Sequence, residues 1–175
     1  MEIKMKKAKV LTDKELKKVV DYIDAFDKYA ERNKAMLLLT HLCLLRVGEV
    51  ASLKVCDVVN ADGEINDVIF LTAEQTKGND SRRVFVSKKA KQVLKRYIQS
   101  DLSVLQRTFL FNTQKSKRFN TNALTTLLKR LYERAAIKGA TSHSGRRSGI
   151  TALSVKGVSV RIIAQLANHK HLQTT

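Results

Sequence analysis

Apolar residues recur at helical spacing behind Thr12 and Glu15, and this pair forms a capping box of the kind that begins a helix. The recurring residues are Leu16, Val19, Val20, Ile23 and Phe26. The pattern predicts a helix from about 12 to 31. A second, nearly continuous apolar run over 35–45 predicts a helix that is buried on most sides.

After Asp57 the pattern changes to short extended segments. Residues 68–71 and 83–86 have the composition of strands, and the turn-forming stretch Thr-Lys-Gly-Asn-Asp lies between them at 76–80. These features predict a small antiparallel sheet from about 65 to 87.

The C-terminal half returns to helical spacing. Ser87 can cap a helix that runs to about 99, and Asn120 opens a leucine-rich helix. Two more helical stretches follow at about 144–156 and 159–168. The predicted fold class is therefore α+β, mostly helical with a small antiparallel β-sheet.

The composition fits one folded domain. The 175 residues include no proline and no linker-like tract, so we expect a single domain over 1–175 with a basic N-terminal arm at 1–10. A hydrophobic content of 43% argues against a disordered basic tail. No apolar run reaches the ~20 residues of a membrane span, and no signal peptide is recognised. Cys43 and Cys56 form no metal or redox pattern, which fits a reducing cytoplasm.

The net charge of +17 points to a polyanionic partner. Phosphate is the simplest compensation for so large a surplus on one domain, so nucleic acid is the favoured partner class. Ribosome-type RNA and anionic membrane surfaces are alternatives that charge alone does not separate.

Arg46 ends the apolar run Leu-Cys-Leu-Leu, where a guanidinium is costly to bury without a partner. Glu49, three residues later, is its nearest partner in sequence. One interpretation is an ordinary ion pair at a helix end. The other is an arginine held at the rim of the core to bind a phosphate, with Glu49 orienting it.

Other candidate residues are weak signals when each is taken alone. Lys77 lies in the predicted hairpin turn and is either a solvated charge or a mobile ammonium that reaches DNA. His143 and Arg146 are three apart and either share the start of a basic helix or form a site. His169 and His171 lack Cys or acidic partners at metal-ligand spacing, so no metal site is predicted.

In their order, four segments resemble the sequence boxes of the tyrosine recombinases, the phage integrase family. Residues 45–53 resemble the first arginine box, and 76–86 resemble the hairpin lysine box. Residues 141–148 resemble the His-x-x-Arg box, and 166–175 resemble the box that leads to the nucleophilic tyrosine. The resemblance covers nearly the whole chain from about Leu11.

The resemblance implies a catalytic site and a reaction. The implied catalytic residues are Arg46, Lys77, His143, Arg146 and His169, with Glu49 orienting Arg46. The family cuts and rejoins DNA through a 3′-phosphotyrosine, without metal or nucleotide cofactor. Gly145, Arg147 and Asn168 depart from the family's common leucine, histidine and glycine, which puts local packing in doubt more than chemistry.

The nucleophile itself is not found. The family's tyrosine lies nine residues after the position of His169, which corresponds to position 178, and the sequence ends at Thr175. No nucleophile is assigned to the tyrosines present, which are Tyr22, Tyr29, Tyr97 and Tyr132. We expect this chain to be a piece of a longer recombinase. The piece should bind DNA and not cleave it. The family's N-terminal core-binding domain is likewise absent from the sequence.

The resemblance also implies partners. Double-stranded DNA is the expected ligand, a homo-tetramer on DNA is expected of the full-length protein, and a monomer is expected of the isolated piece. Other basic residues are candidates for DNA contact: Lys115, Lys117, Arg118, Lys129, Arg130, Arg134 and Arg147. The expected location is the cytoplasm of a bacterial host or of the host of a mobile element.

Three rival interpretations stay open. The first is a DNA-binding module that derives from a recombinase and has no chemistry. The second is a basic RNA-binding helical protein, which explains the charge but not the four ordered boxes. The third is a type IB topoisomerase, which shares the chemistry but matches the boxes less closely.

Overall fold

Eight α-helices and one β-hairpin account for most of residues 8–78 and 80–169, the part of the chain that the computed structural model describes. Short 3₁₀ turns lie at Ala73–Gln75 and Leu102–Gln106. The elements are α1 Asp13–Phe26, α2 Ala30–Leu42, α3 Val47–Ser52, α4 Val55–Val58, β1 Val68–Leu71, β2 Arg82–Phe85, α5 Lys88–Ser100, α6 Thr121–Arg134, α7 Ser144–Val155 and α8 Val160–Ala167.

Side-chain caps place the starts of three helices where the sequence predicts them. Thr12 and Glu15 form the reciprocal capping box of α1, and Glu15 N donates to Thr12 Oγ1 at 3.2 Å. Ser87 caps α5, and Asn120 accepts from Ala123 N at 2.7 Å at the start of α6. The two predicted C-terminal helices are confirmed as α7 and α8.

The prediction of one helix from about 12 to 31 is wrong. Helix α1 ends at Phe26, whose side chain is exposed. Asp27 then turns the chain, because its carboxylate accepts from Tyr29 N at 2.8 Å and from Asn33 Nδ2 at 2.8 Å. An Asp that bonds backbone two residues ahead competes with helix continuation. The second helix therefore begins at Ala30 and ends at Leu42, earlier than predicted at both ends.

The predicted antiparallel sheet is confirmed as the hairpin β1–β2, in which Val68 pairs with Phe85 and Leu71 with Arg82. Its alternation puts Leu71, Arg82 and Val84 on the buried face and leaves Phe85 on the exposed face. Arginine in a buried register position is the exception to an apolar pattern, and its partners are described below.

Helix α2 is the centre of the core, because α1, α5 and α7 all pack against it. Met36, Leu37 and Leu39 are fully buried there. Among the described residues, no helix combines the length and the apolar character that a bilayer crossing requires.

Two glycines let α7 approach α2 closely. A Cβ at Gly149 would collide with the carbonyl oxygen of His41, and one at Gly145 would collide with Thr40 Oγ1. The hydroxyl of Tyr132 lies 3.4 Å from the same Cβ position at 145. The glycine that replaces the common leucine of the His-x-x-Arg box is therefore explained by local packing.

We expect Gly145→Ala to destabilise the protein by about 1–3 kcal/mol, because overpacking a filled site forces backbone shifts. Chemical denaturation monitored by circular dichroism measures this loss. Thr40→Ala removes the colliding hydroxyl, so the double variant should recover part of the loss. Strictly additive losses in the double variant would contradict the packing account.

Candidate functional site

Arg46 is the N-cap residue of α3 and binds the carboxylate of Glu49, three residues later. Its backbone N donates to Glu49 Oε2 at 2.7 Å, and its Nη1 donates to Glu49 Oε1 at 3.0 Å. The ion pair predicted from their spacing is confirmed. The Glu49 side chain is 1% exposed while the Arg46 side chain is 28% exposed, so the arginine reaches the surface from a buried anchor.

A second cation shares Glu49. Arg82 of β2 donates from Nη2 to Glu49 Oε2 at 2.8 Å, and its side chain is buried. Sequence reasoning did not single out this residue. The signal was its register in the strand, since Arg82 alternates inward with Val84 and Val86.

Arg146 enters the cluster from the first turn of α7, where Gly145 brings it against α2. Its guanidinium is buried and donates to the carbonyl oxygens of Leu44 and Ala167. Its Nη2 also lies 3.2 Å from His169 Nε2. The structure therefore brings together three of the predicted site residues, Arg46, Arg146 and His169.

Leu44 presents its carbonyl to this cluster through an uncommon backbone conformation. Its φ of 53° is left-handed, which costs a residue other than glycine about 1–2 kcal/mol. The turned carbonyl accepts from Arg146 and, at 3.3 Å, from Arg82 Nη2. Charge-assisted hydrogen bonds of this kind offset the strain. Strained backbone conformations of this kind cluster at functional sites.

Helix α8 ends with its last carbonyls directed at the three arginines. Arg82 Nη1 donates to Leu166 O at 3.0 Å, Arg146 to Ala167 O, and Arg46 Nη2 to Asn168 O at 3.1 Å. Three successive carbonyls at the negative end of a helix dipole are thus each held by a different guanidinium.

Asn168 closes α8 in the left-handed conformation, with φ of 51°. His169 N then donates to Ala164 O at 2.9 Å, which completes a Schellman-type end. Asparagine is the common substitute for glycine at such a position, so the departure at 168 is compatible with the same helix end. His169 is placed by this turn.

Positive charge dominates the cluster. Among the described residues, Arg46 and Arg82 pair with the carboxylate of Glu49, and the charge of Glu49 also acts on Arg146. Burial lowers the pKa of Arg146 to about 9, and the charges of Arg46 and Arg82 act in the same direction. Burial, followed by Arg146 and Arg46, lowers the pKa of His169 to about 4. The imidazole is therefore neutral at pH 7. A guanidinium only donates, so Nε2 accepts from Arg146 and the ring proton lies on Nδ1.

We expect His169 to make folding stability depend on pH. The pKa of His169 is lower in the folded protein than in the unfolded chain, so the unfolded chain takes up the proton first. Stability should fall as the pH drops from about 6.5, the ordinary histidine value, toward about 4. Urea denaturation across this range should give a shallower slope for His169→Gln. An unchanged slope would contradict the assignment. His41→Gln should also make the slope shallower, since burial lowers the pKa of His41 as well. Comparing the two variants separates the contribution of His169 from that of His41.

The structure does not bring Lys77 and His143 into this cluster. Lys77 is exposed in the connection between β1 and β2 and, within the described part of the chain, makes no hydrogen bond or ion pair. His143 is the N-cap residue of α7 and is exposed. Their roles stay predictions.

The candidate DNA-contacting residues are exposed, apart from Arg147, which is half-buried. Arg118 lies over the Phe109 ring at 5.4 Å, and Lys129 pairs with Glu133 at 3.7 Å. Tyr97 and Tyr132 are core residues, because Tyr97 Oη donates to Leu110 O and burial raises the pKa of both. Among residues 8–78 and 80–169, no three His, Cys, Asp or Glu side chains are grouped to hold a metal ion.

Comparison with known proteins gives a consistent result. The model of the phage integrase family matches residues 9–175. Transposase A from transposon Tn554 of Staphylococcus aureus is 28% identical, over 100% of this chain and 49% of that protein. The tyrosine recombinase XerA of Pyrococcus furiosus is 30% identical, over 95% of this chain and 55% of that protein. The chain thus spans about half the length of these relatives.

Solved structures share the fold. A crystal structure of XerA recombinase superposes with a TM-score of 0.78 at 24% identity, over 95% of this chain and 58% of that one. XerH recombinase bound to its difH substrate superposes with a TM-score of 0.72 at 21% identity, over 94% of this chain and 48% of that one. The Tn1549 transposon integrase in complex with circular intermediate DNA superposes with a TM-score of 0.77 at 16% identity, over 99% of this chain and 63% of that one.

Proposed function

The chain belongs to the phage integrase family, and from this premise we propose that it is the catalytic domain of a site-specific DNA recombinase of the tyrosine type. The reaction class is DNA strand cleavage and rejoining through a covalent 3′-phosphotyrosine. The substrate would be double-stranded DNA, with no metal or nucleotide cofactor. Two solved neighbours, XerH with difH and the Tn1549 integrase with circular intermediate DNA, are complexes with DNA.

One observation carries the proposal. Arg46, Arg146 and His169 come from segments separated by 100 and 23 positions in the sequence, yet all three meet at the end of α8. The surplus of guanidiniums over carboxylates among the described residues of this cluster supports an anion as its ligand. Phosphate, with four oxygens that accept hydrogen bonds, is the anion that fits the family.

The residues suit the chemistry of a phosphodiester. As the tyrosine oxygen bonds to phosphorus and the bond to the 5′-oxygen breaks, negative charge collects on the non-bridging oxygens. Arg46 and Arg146 would donate to these oxygens from positions fixed before the reaction begins. Neutral His169 would donate from Nδ1 to one of them. His143 would take the proton from the tyrosine or hold the phosphate.

Lys77 is the proposed general acid for the departing 5′-oxygen, since an ammonium gives up its proton far more readily than a guanidinium. Five positions separate Lys77 from Arg82, so their Cα atoms lie at most about 17 Å apart. Because Arg82 is bonded to Glu49, this limits how far Lys77 can lie from the site.

This assignment predicts a specific rescue. Lys77→Ala should slow cleavage of ordinary DNA by about 10²–10⁴-fold. DNA with sulfur in place of the bridging 5′-oxygen should restore most of the rate, because a thiolate leaves without protonation. Single-turnover cleavage of the two substrates by the product of the whole reading frame measures the difference. Arg46→Ala is the control that sulfur should not rescue, and equal defects on both substrates would remove Lys77 from the role.

The nucleophile is proposed to be a tyrosine at the position equivalent to 178, beyond Thr175. The 175-residue chain by itself should bind DNA and not cut it. The recombinase that contains this domain would act as a tetramer on DNA, while the isolated domain would be monomeric. The recombinase would act in the cytoplasm, because the DNA of a bacterial host lies there.

The test uses the product of the whole reading frame that contains this chain. Nicked suicide duplexes are tiled over both flanks of the gene, and a denaturing gel detects protein joined covalently to DNA. We expect an adduct that is lost when the downstream tyrosine is changed to phenylalanine. A reading frame with no such tyrosine, no adduct and persistent salt-sensitive DNA binding would instead support a non-catalytic DNA-binding module.

A further inference from the structure

Arg82 is the least expected residue of the cluster. It occupies a buried register position of β2, and its side chain is 4% exposed. The next residue, Arg83, points to the opposite face of the strand and is exposed. A strand position that faces the core normally holds an apolar residue, so the arginine at 82 requires an explanation.

The contacts of Arg82 join three segments of the site. Its Nη2 donates to Glu49 Oε2 in α3 at 2.8 Å and to Leu44 O in the turn before α3 at 3.3 Å. Its Nη1 donates to Leu166 O at the end of α8 at 3.0 Å. Each of these segments adjoins Arg46 or His169.

Arg82 also divides the carboxylate of Glu49 between two cations. Oε2 accepts from Arg82 and from the backbone N of Arg46, which leaves Oε1 to accept from Arg46 Nη1. A carboxylate fixed at both oxygens holds the guanidinium of Arg46 in one orientation. Without Arg82, the carboxylate would lose the contact that sets its plane.

Stability alone does not account for an arginine here. Among the described residues, Arg82 Nε is buried without a hydrogen-bond partner, and such a donor costs about 1–3 kcal/mol. A buried ion pair is often no more stable than apolar side chains of the same size. The planar fork of a guanidinium at this position instead fits a role in geometry.

We propose that Arg82 is a positioning residue of the site, which orients Glu49 for Arg46 and fixes the end of α8 that carries His169. We expect Arg82 not to contact the phosphate, because its side chain is 4% exposed while that of Arg46 is 28% exposed. The inference rests on the proposed function for the cleavage step and on the geometry alone for the placement of His169.

The first test follows His169 in the 175-residue chain. Arg82→Lys keeps the positive charge and loses the fork, and Arg83→Lys on the exposed face is the matched control. NMR of the imidazole resonances gives the pKa of each of the four histidines. In Arg82→Lys we expect the pKa of His169 to rise from about 4 toward about 6.5, as the end of α8 loosens and the ring gains solvent. Arg83→Lys should leave the pKa of His169 at about 4.

The second test measures function in the whole-frame protein. Arg82→Lys should lower the rate of adduct formation by about 100-fold, because small misplacement of aligned groups has effects of that size. Affinity for duplex DNA and its salt dependence should stay within about twofold, because a buried arginine contributes no phosphate contact. Arg83→Lys should keep the wild-type rate of adduct formation.

Several outcomes would overturn the proposal. A folded Arg82→Lys variant whose His169 keeps the wild-type pKa shows that Arg82 does not position α8. A rate of adduct formation within threefold of wild type shows that it does not act on the cleavage step. If Arg82→Lys does not fold, Arg82→Gln with Glu49→Gln removes both charges together, and the amide hydrogen of His169, which bonds Ala164 O, must then exchange faster than in Glu49→Gln alone. If the wild-type protein forms no adduct, the proposed function fails while the NMR result still decides the role of Arg82.

Discussion

Arg46→Ala is expected to lower the rate of covalent adduct formation by about 10²–10³-fold, the usual effect of removing one pre-oriented donor to a developing oxyanion. Its side chain combines an open face with a fixed anchor, since it is 28% exposed and bonded to Glu49 and Asn168 O. The fold should survive, because Glu49 keeps Arg82 as its partner. Single-turnover reactions at saturating protein separate this loss from weaker DNA binding.

The matched control removes an equal charge elsewhere. Arg96 is exposed on α5, so Arg96→Ala reproduces the change in net charge without touching the cluster. We expect a nearly wild-type rate at saturation for this variant. Equal losses in Arg46→Ala and Arg96→Ala would show that Arg46 contributes only general attraction for DNA.

Glu49→Ala should destabilise the protein by about 3–5 kcal/mol, which is the typical cost of leaving a buried charge without its partner. Arg82 would remain buried beside Arg146 with no carboxylate between them, and Arg46 would lose its anchor. Urea denaturation of the 175-residue chain measures the loss as a shift of the midpoint.

Glu133→Ala provides the comparison, since it deletes a carboxylate of the same size from the surface. Glu133 is 59% exposed and lies 3.7 Å from Lys129, an arrangement worth at most about 0.5 kcal/mol. A Glu49→Ala variant no less stable than Glu133→Ala would contradict the description of Glu49 as the buried centre of the cluster.

Local rules in the sequence account for most of the helical framework. Thr12, Ser87 and Asn120 each cap a helix through a side-chain oxygen, and this chemistry is readable without a structure. The hairpin follows from two short extended segments around a turn. The break between α1 and α2 was missed because it depends on hydrogen bonds of Asp27 to Tyr29 and Asn33, not on the apolar pattern.

The candidate site was predicted less completely. Spacing alone paired Arg46 with Glu49, since both lie within one helical turn. The convergence of Arg82, Arg146 and the end of α8 depends on tertiary packing, which local patterns do not specify. The alternation of β2 does place Arg82 inward, so an inward-facing charge in a strand was a usable signal.

A crystal structure of the 175-residue chain soaked with tungstate tests the central claim most directly. Tungstate is a tetrahedral dianion like phosphate, and its anomalous signal locates it without a known DNA target. We predict a peak within hydrogen-bond distance of Arg46, Arg146 and His169, with Arg82 and Glu49 out of contact. Peaks confined to surface lysines, with the three arginines still bonded to the carbonyls of α8, would contradict the assignment of this cluster as the phosphate site.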